Sequence, residues 1–146
     1  MTTSKWDLSY SQAKLEELGL LLSGRPHMRP LLLSHNNPDP DTISSSFALS
    51  FLLSRKYGIR TTLGYGGVVT RAENKAMIQR LNIKMMGLKK ISYAKYDSTL
   101  LIDAQPGSGN NLLISKDACP LVVIDHHPLR KLSLKAPFHD VRPEYG

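Results

Sequence analysis

Short apolar runs and longer stretches of helical period alternate along this chain. Leu8, Leu15, Leu18 and Leu22 recur near helical spacing and Ser23-Gly24 follows them, so Asp7 to Leu22 reads as a packing helix. Arg25 to Pro30 reads as a loop. Leu31 to Ser34 begins as an apolar run without alternation, the pattern of a strand buried on both faces of a parallel sheet. From Thr42 to Tyr57 apolar residues such as Ile43, Phe47, Leu49, Phe51 and Leu53 occupy most of a helical circumference, which predicts a mostly buried helix. Arg55 and Lys56 suit its C-terminus and Gly58 its cap.

Ile59 to Leu63 predicts a second strand, running into Gly64-Tyr65-Gly66-Gly67, which reads as a turn. Arg71 to Leu81 predicts a further helix, followed by a short segment around Ile83 to Leu88. Ser98 to Ile102 and Leu121 to Ile124 are a third and a fourth strand, separated by a Gly/Asn-rich loop and a short apolar piece. Phe138 to Gly146 has no clear period. Strands alternating with helices predict an α/β fold of three layers, a mostly parallel sheet with helices on both faces.

Composition narrows the picture. The 146 residues, 41% of them hydrophobic, suit one domain with a single core. A net charge of +7 and a pI near 9.6 favour an anionic partner such as a nucleotide, an oligonucleotide or polyphosphate. Seven basic residues against one acid, Glu73, between Arg71 and Lys95 read as a solvated face. The single cysteine, Cys119, excludes an internal disulfide, reads as a small buried apolar residue, and fits a reducing, cytoplasmic compartment. No apolar run reaches the 18 residues a membrane-spanning helix needs, and the first seven residues lack a signal-peptide core.

Candidate chemistry is concentrated at the ends of three strands. Ser34-His35-Asn36-Asn37-Pro38-Asp39-Pro40-Asp41 places an imidazole and two carboxylates within seven residues. Pro38 and Pro40 are expected to hold the spacer extended. Asp-Pro-Asp-Thr is also an ordinary helix start, with Asp at the cap and Pro in the first turn. Asp103 ends the third strand and Asp125-His126-His127-Pro128 the fourth. Ligands of open parallel sheets bind outside the carboxyl ends of the strands, so three such clusters at one edge point to a divalent-cation site. Hard oxygen ligands beside imidazole nitrogen suit Mn²⁺, Zn²⁺, Fe²⁺ or Mg²⁺. Two cations sharing a carboxylate would activate a bridging water for in-line phosphoryl displacement.

These three motifs, in this order, resemble motifs I to III of the DHH phosphoesterases, over the chain from about Leu31 onward. The resemblance implies that His35 and Asp39 hold one Mn²⁺ and Asp41 and His126 the other, with Asp103 bridging. Mg²⁺ or Co²⁺ would be substitutes. His127 would face the scissile phosphate and Asp125 would orient the histidines. Gln105-Pro106-Gly107-Ser108-Gly109-Asn110-Asn111 resembles the oligoribonuclease and phosphoadenosine-phosphate phosphatase branch, often labelled exopolyphosphatase-related. The implied activity is hydrolysis of short oligonucleotides or nucleotide bisphosphates. Exopolyphosphatase or pyrophosphatase chemistry, or a non-catalytic nucleotide-binding fragment, is the alternative, and a homodimer is compatible.

Family members carry a fourth motif and a C-terminal substrate-binding domain. The resemblance therefore leads to the expectation that residues 1–30 are a helix and loop before a DHH domain, 31–146, truncated before that motif, with Asp140 too early to supply its ligand. Such a fragment is expected to bind its second metal weakly. Asp39-Pro40-Asp41-Thr42 departs from haloacid-dehalogenase phosphatases, because His35 to Pro38 separate the strand from the first Asp. A glycosyltransferase Asp-x-Asp site would leave Asp125-His126-His127 unexplained. Neither glycine-rich turn has the residues of a Walker or dinucleotide loop.

Overall fold

A computed structural model describes residues 8–111 and 119–145. The apolar piece predicted after the Gly/Asn-rich loop lies outside these residues. Six parallel strands form one sheet: β1 (Pro30–Leu33), β2 (Thr62–Tyr65), β3 (Met85–Gly87), β4 (Ser98–Ile102), β5 (Val122–Asp125) and β6 (Phe138–Val141), in the order β3-β2-β1-β4-β5-β6. Among the described residues the α-helices are α1 (Leu8–Leu22), α2 (Pro40–Tyr57) and α3 (Ala72–Arg80). Every strand pairing is parallel, with Leu31 opposite Thr62 on one side and Thr99 on the other.

The unalternating apolar run of β1 is explained by its two neighbours and two covered faces. Leu32 joins Leu100, Ile102, Val122 and Phe138 in a core that Leu18 and Leu22 of α1 and Ile43, Leu49 and Leu53 of α2 complete. Leu31 and Leu33 point the other way, with Leu101 and Val123, into a second core beneath Leu88, Ile91, Tyr93 and Ala136. That second layer is built, among the described residues, from 3₁₀ turns at Leu88–Lys90, Tyr93–Lys95 and Lys131–Lys135 rather than from α-helices. The three-layer α/β architecture thus holds, with an all-parallel sheet.

Several boundaries differ from the sequence expectation. Phe138–Val141, which shows no period, is the edge strand β6, with Phe138 and Asp140 buried and His139 and Val141 half-buried. Ile83 to Leu88 divides into β3 and a 3₁₀ turn. The second strand begins at Thr62, and Gly64-Tyr65 belongs to it instead of ending it, while Ile59 plugs the core below α2. Helix α2 is less buried than its composition implies: Phe47 is 36% and Phe51 54% exposed, Arg55 lying over the Phe51 ring. Cys119 is exposed. No helix of the described residues is long and apolar enough to cross a membrane.

Candidate metal centre

The order of the strands decides where the chemistry collects. β2 and β3 lie on one side of β1 while β4 to β6 lie on the other, so the order in which strands are added reverses between β1 and β4. Segments leaving these two strands diverge and open a crevice at their carboxyl ends. His35 and Asp39 leave from β1 and Asp103 from β4, and Asp125-His126-His127 follows on the adjacent β5.

The segment between β1 and α2 is stiff, but not in the predicted manner. Asp39 is extended, with φ −95° and ψ −178°. Asn37, before Pro38, instead adopts the left-handed region at φ 57°, a conformation that asparagine tolerates. It is held there by its N–H to Gly66 O (3.0 Å) and by the Val68 N–H donating to its Oδ1 (3.0 Å). A side chain on Gly67, at φ 67°, would collide with Asn37 Oδ1. Buried Asn74 of α3 donates to Pro38 O at 3.1 Å, and Asn36 N–H donates to Asn110 O at 2.5 Å. Loops after β2 and β4 therefore clamp the first motif from both sides.

His35 is oriented by its own loop. Nδ1 lies 2.8 Å from Asn36 O, which leaves Nε2 to face 2.6 Å from Thr42 Oγ1, 3.5 Å from Asp103 Oδ2 and 3.7 Å from Asp39 Oδ2. Hydrogen bonding to Asp103 leads the causes that raise its pKa to about 9, against burial. Asp39 serves both readings of its motif. Oδ1 caps α2 by accepting from Thr42 N–H at 2.9 Å, a contact worth about 1 kcal/mol in typical helices. Its Oδ2 turns to His35.

Asp103 is the centre of the arrangement. It is 6% exposed and adopts φ 52°, a left-handed conformation, with its N–H bound to Ile124 O at 2.9 Å. Oδ2 accepts from the fully buried Thr42 hydroxyl at 2.5 Å. Oδ1 is buried without a hydrogen-bond partner among the described residues, although His126 Nε2 lies 3.2 Å and His127 Nδ1 3.7 Å away. Burial alone would raise its carboxyl; hydrogen bonds from His35 and Thr42 and the charges of His35 and His126 outweigh that, so it lies below the ordinary range. An ionised, buried oxygen without a donor is what a cation would satisfy.

Asp125 is saturated. Its Oδ1 accepts from His126 N–H (2.8 Å) and His127 N–H (3.2 Å) and lies 2.8 Å from His127 Nδ1, while Oδ2 accepts from Gln105 Nε2 (2.7 Å). The His126 and His127 rings meet edge to face at 4.6 Å. Gln105, 1% exposed, also donates to His127 O and Pro128 O and accepts from Arg130 N–H and Ser133 Oγ, both at 2.8 Å. Replacing it with leucine strands several buried partners at about 1–3 kcal/mol each. Gln105→Leu is therefore expected to lower the urea midpoint and to weaken Mn²⁺ binding about 10–100-fold, the usual range for a residue that orients ligands. An unchanged midpoint and an unchanged titration would show that Asp125 needs no such support.

Among the described residues, two groups can thus hold a metal ion: His35, Asp39 and Asp103, and Asp103, Asp125, His126 and His127. Within each, one potential ligand atom per residue lies within 4.8 Å of the others. Asp103 belongs to both. Asp41, expected with His126 at the second ion, stands outside both groups; it is exposed and lines a cavity of about 440 Å³ together with Asp103, Asp125 and His126. His127, expected only opposite the phosphate, comes close enough to Asp103 to join the second group. The same cavity meets Asp140, which binds Arg142 in a bidentate pair (2.7 and 2.5 Å). From sequence, Thr42 and Gln105 carry no role at the site, and the Asp140–Arg142 pair is not foreseen. The one available signal was that Thr42 and Gln105 sit one and two residues beyond an assigned aspartate.

No protein-family model matches the chain. Over 116 residues it is 39% identical to the uncharacterized protein MJ1633 of Methanocaldococcus jannaschii, a stretch that makes up 80% of this chain. The chain spans 23% of the length of that relative.

Proposed function

We propose that this chain is a metal-dependent phosphoesterase domain of the DHH type. It hydrolyses phosphodiester or phosphomonoester bonds of short oligonucleotides or nucleotide bisphosphates, with two divalent cations, Mn²⁺ foremost, in the cytoplasm. The observation that carries this reading is Asp103, one buried carboxylate shared by two potential ligand groups, with an oxygen directed to each. When bound, two such ions acidify a water and neutralise charge growing on the phosphoryl oxygens.

The chain's own residues supply the rest. His35 offers Nε2 because Asn36 O holds Nδ1, and Thr42 fixes the Asp103 carboxylate by its hydroxyl. Asp125 accepts from both histidine backbone N–H groups and keeps the His127 ring turned. His127, whose side chain is 55% exposed, gives a proton to the leaving oxygen.

Calorimetric titration of Mn²⁺, followed by incubation with a ribo-oligonucleotide of two to five residues, tests the proposal. Two bound ions and Mn²⁺-dependent release of mononucleotides are expected. A chain that binds no Mn²⁺ would remove the basis of the mechanism.

A further inference from the structure

Two cavities flank the Asp125-His126-His127 turn, and they differ in charge. The larger one meets Asp41, Asp103, Asp125 and Asp140, and its arginine, Arg142, is already neutralised by Asp140. The second, of about 410 Å³, is lined by Gln105, Ser108, Asn110, His127, Leu129 and Arg130 among others. Asp125 is the one carboxylate among the described residues that line it, and both its oxygens are engaged by His126, His127 and Gln105. An anion entering beside His127 without an accompanying cation therefore meets the Arg130 guanidinium here, and four carboxylates beside His126 on the other side.

The wall of this second cavity is built rather than incidental. Gly107 and Gly109, at φ 75° and 80°, turn the loop, and a side chain on Gly107 would press Leu132. Asn111 Nδ2 ties the loop together through Gln105 O and Ser108 Oγ, both at 2.8 Å, and Ser108 Oγ donates to Asn110 Oδ1. Asn110 itself is exposed. Arg130 is pinned by one N–H, from NH1 to Gly107 O at 3.0 Å, and its guanidinium carries further donors. Leu129, 50% exposed, adds an apolar edge beside these polar groups. The cavity has the size of a small-ligand site with a few convergent polar groups.

We infer that this second cavity binds the nucleotide unit next to the scissile phosphate, with its other phosphate on Arg130, its ribose hydroxyls on Ser108 and Asn110, and its base against Leu129. The role rests on the phosphoesterase reading, since His127 forms the wall between this unit and the metal-ligand groups. It also selects nucleotides over inorganic polyphosphate, which has nothing to place on Leu129.

Adenosine 5′-monophosphate and inorganic phosphate are titrated into the metal-free chain, with heat and backbone amide shifts as readouts. Tighter binding of the nucleotide than of phosphate is expected, with shifts at 104–110 and 127–130. Arg130→Met should weaken it about tenfold, as for a hydrogen bond to a charged group, Arg130→Lys less, and Ser108→Ala about threefold. Shifts confined to 41–45 and 142–145, equal affinity for both probes, or no loss in either Arg130→Met or Ser108→Ala would overturn the inference. Thermal melts check that each variant is folded; Ser108→Ala decides if Arg130→Met is not. A chain that binds the nucleotide here but no Mn²⁺ defeats the phosphoesterase reading alone. One that hydrolyses bis-p-nitrophenyl phosphate yet gives no shifts at 104–110 defeats this inference alone.

Discussion

Asp103→Asn is expected to leave the chain folded while reducing Mn²⁺-dependent hydrolysis about a thousandfold. Asparagine is chosen because the position adopts φ 52°, a left-handed conformation that Asn and Asp tolerate better than other side chains. Its amide oxygen still accepts from Thr42, so the buried hydroxyl keeps its partner. What disappears is the negative charge shared by both ligand groups. Loss of a residue that merely orients a ligand costs about 10–100-fold in metal affinity or activity, and Asp103 serves two groups at once. The His35 imidazole supplies an independent readout. Hydrogen bonding to Asp103 is the largest cause of its raised pKa, so the variant should titrate His35 well below about 9 by NMR. Retention of two-ion binding in the variant would exclude Asp103 as the shared ligand.

Raising the pH should tighten metal binding while it loosens the metal-free fold. His35 is raised from 6.5 to about 9 in the folded, metal-free chain. A raised folded pKa means that the protonated form is favoured by folding. Its stabilising contribution is fully present below about 6.5 and is lost as pH rises through about 9. A metal ion needs the neutral imidazole, so at neutral pH binding must expel this proton. Displacing one proton predicts an apparent affinity gain of roughly 50-fold from pH 7 to pH 9. Calorimetry in buffers of differing ionisation enthalpy would show the released proton at pH 7, and urea unfolding with chelator present would show the opposing stability trend. Mn²⁺ affinity independent of pH across this range would mean that His35 Nε2 is not a ligand.

Much of the fold was legible because burial leaves a local trace. The unbroken Leu31-Leu32-Leu33 run marked a strand covered on both faces, Ser98–Ile102 and the end of α2 followed from similar periodicity and capping, and α2 starts at Pro40, two residues before its apolar period does. Phe138–Val141 was not legible: as an edge strand it buries Phe138 and Asp140 while His139 and Val141 stay half-buried, so its pattern does not look apolar. Phe47 and Phe51 misled in the opposite direction, since aromatic composition says nothing about which helical face meets the sheet. Gly66 and Gly67 read as a plain turn, although their backbone holds Asn37 and with it the first motif.

The sequence alone established an α/β chain, the strand ends that bear His35, Asp39, Asp103, Asp125, His126 and His127, and the residue types suited to a divalent cation. These are local properties, set by period, capping and chemistry within a few residues. Only the tertiary structure decided that β1 and β4 are neighbours, which brings Asp103 to His35 across 68 residues of chain. It also sets His127 Nδ1 3.7 Å from Asp103 Oδ1, and leaves Asp41, at the exposed start of α2, lining one cavity with Asp103 and His126 but outside both ligand groups. The support from Thr42 and Gln105 was equally hidden, because a hydrogen-bond partner depends on packing between distant segments, which no local pattern records.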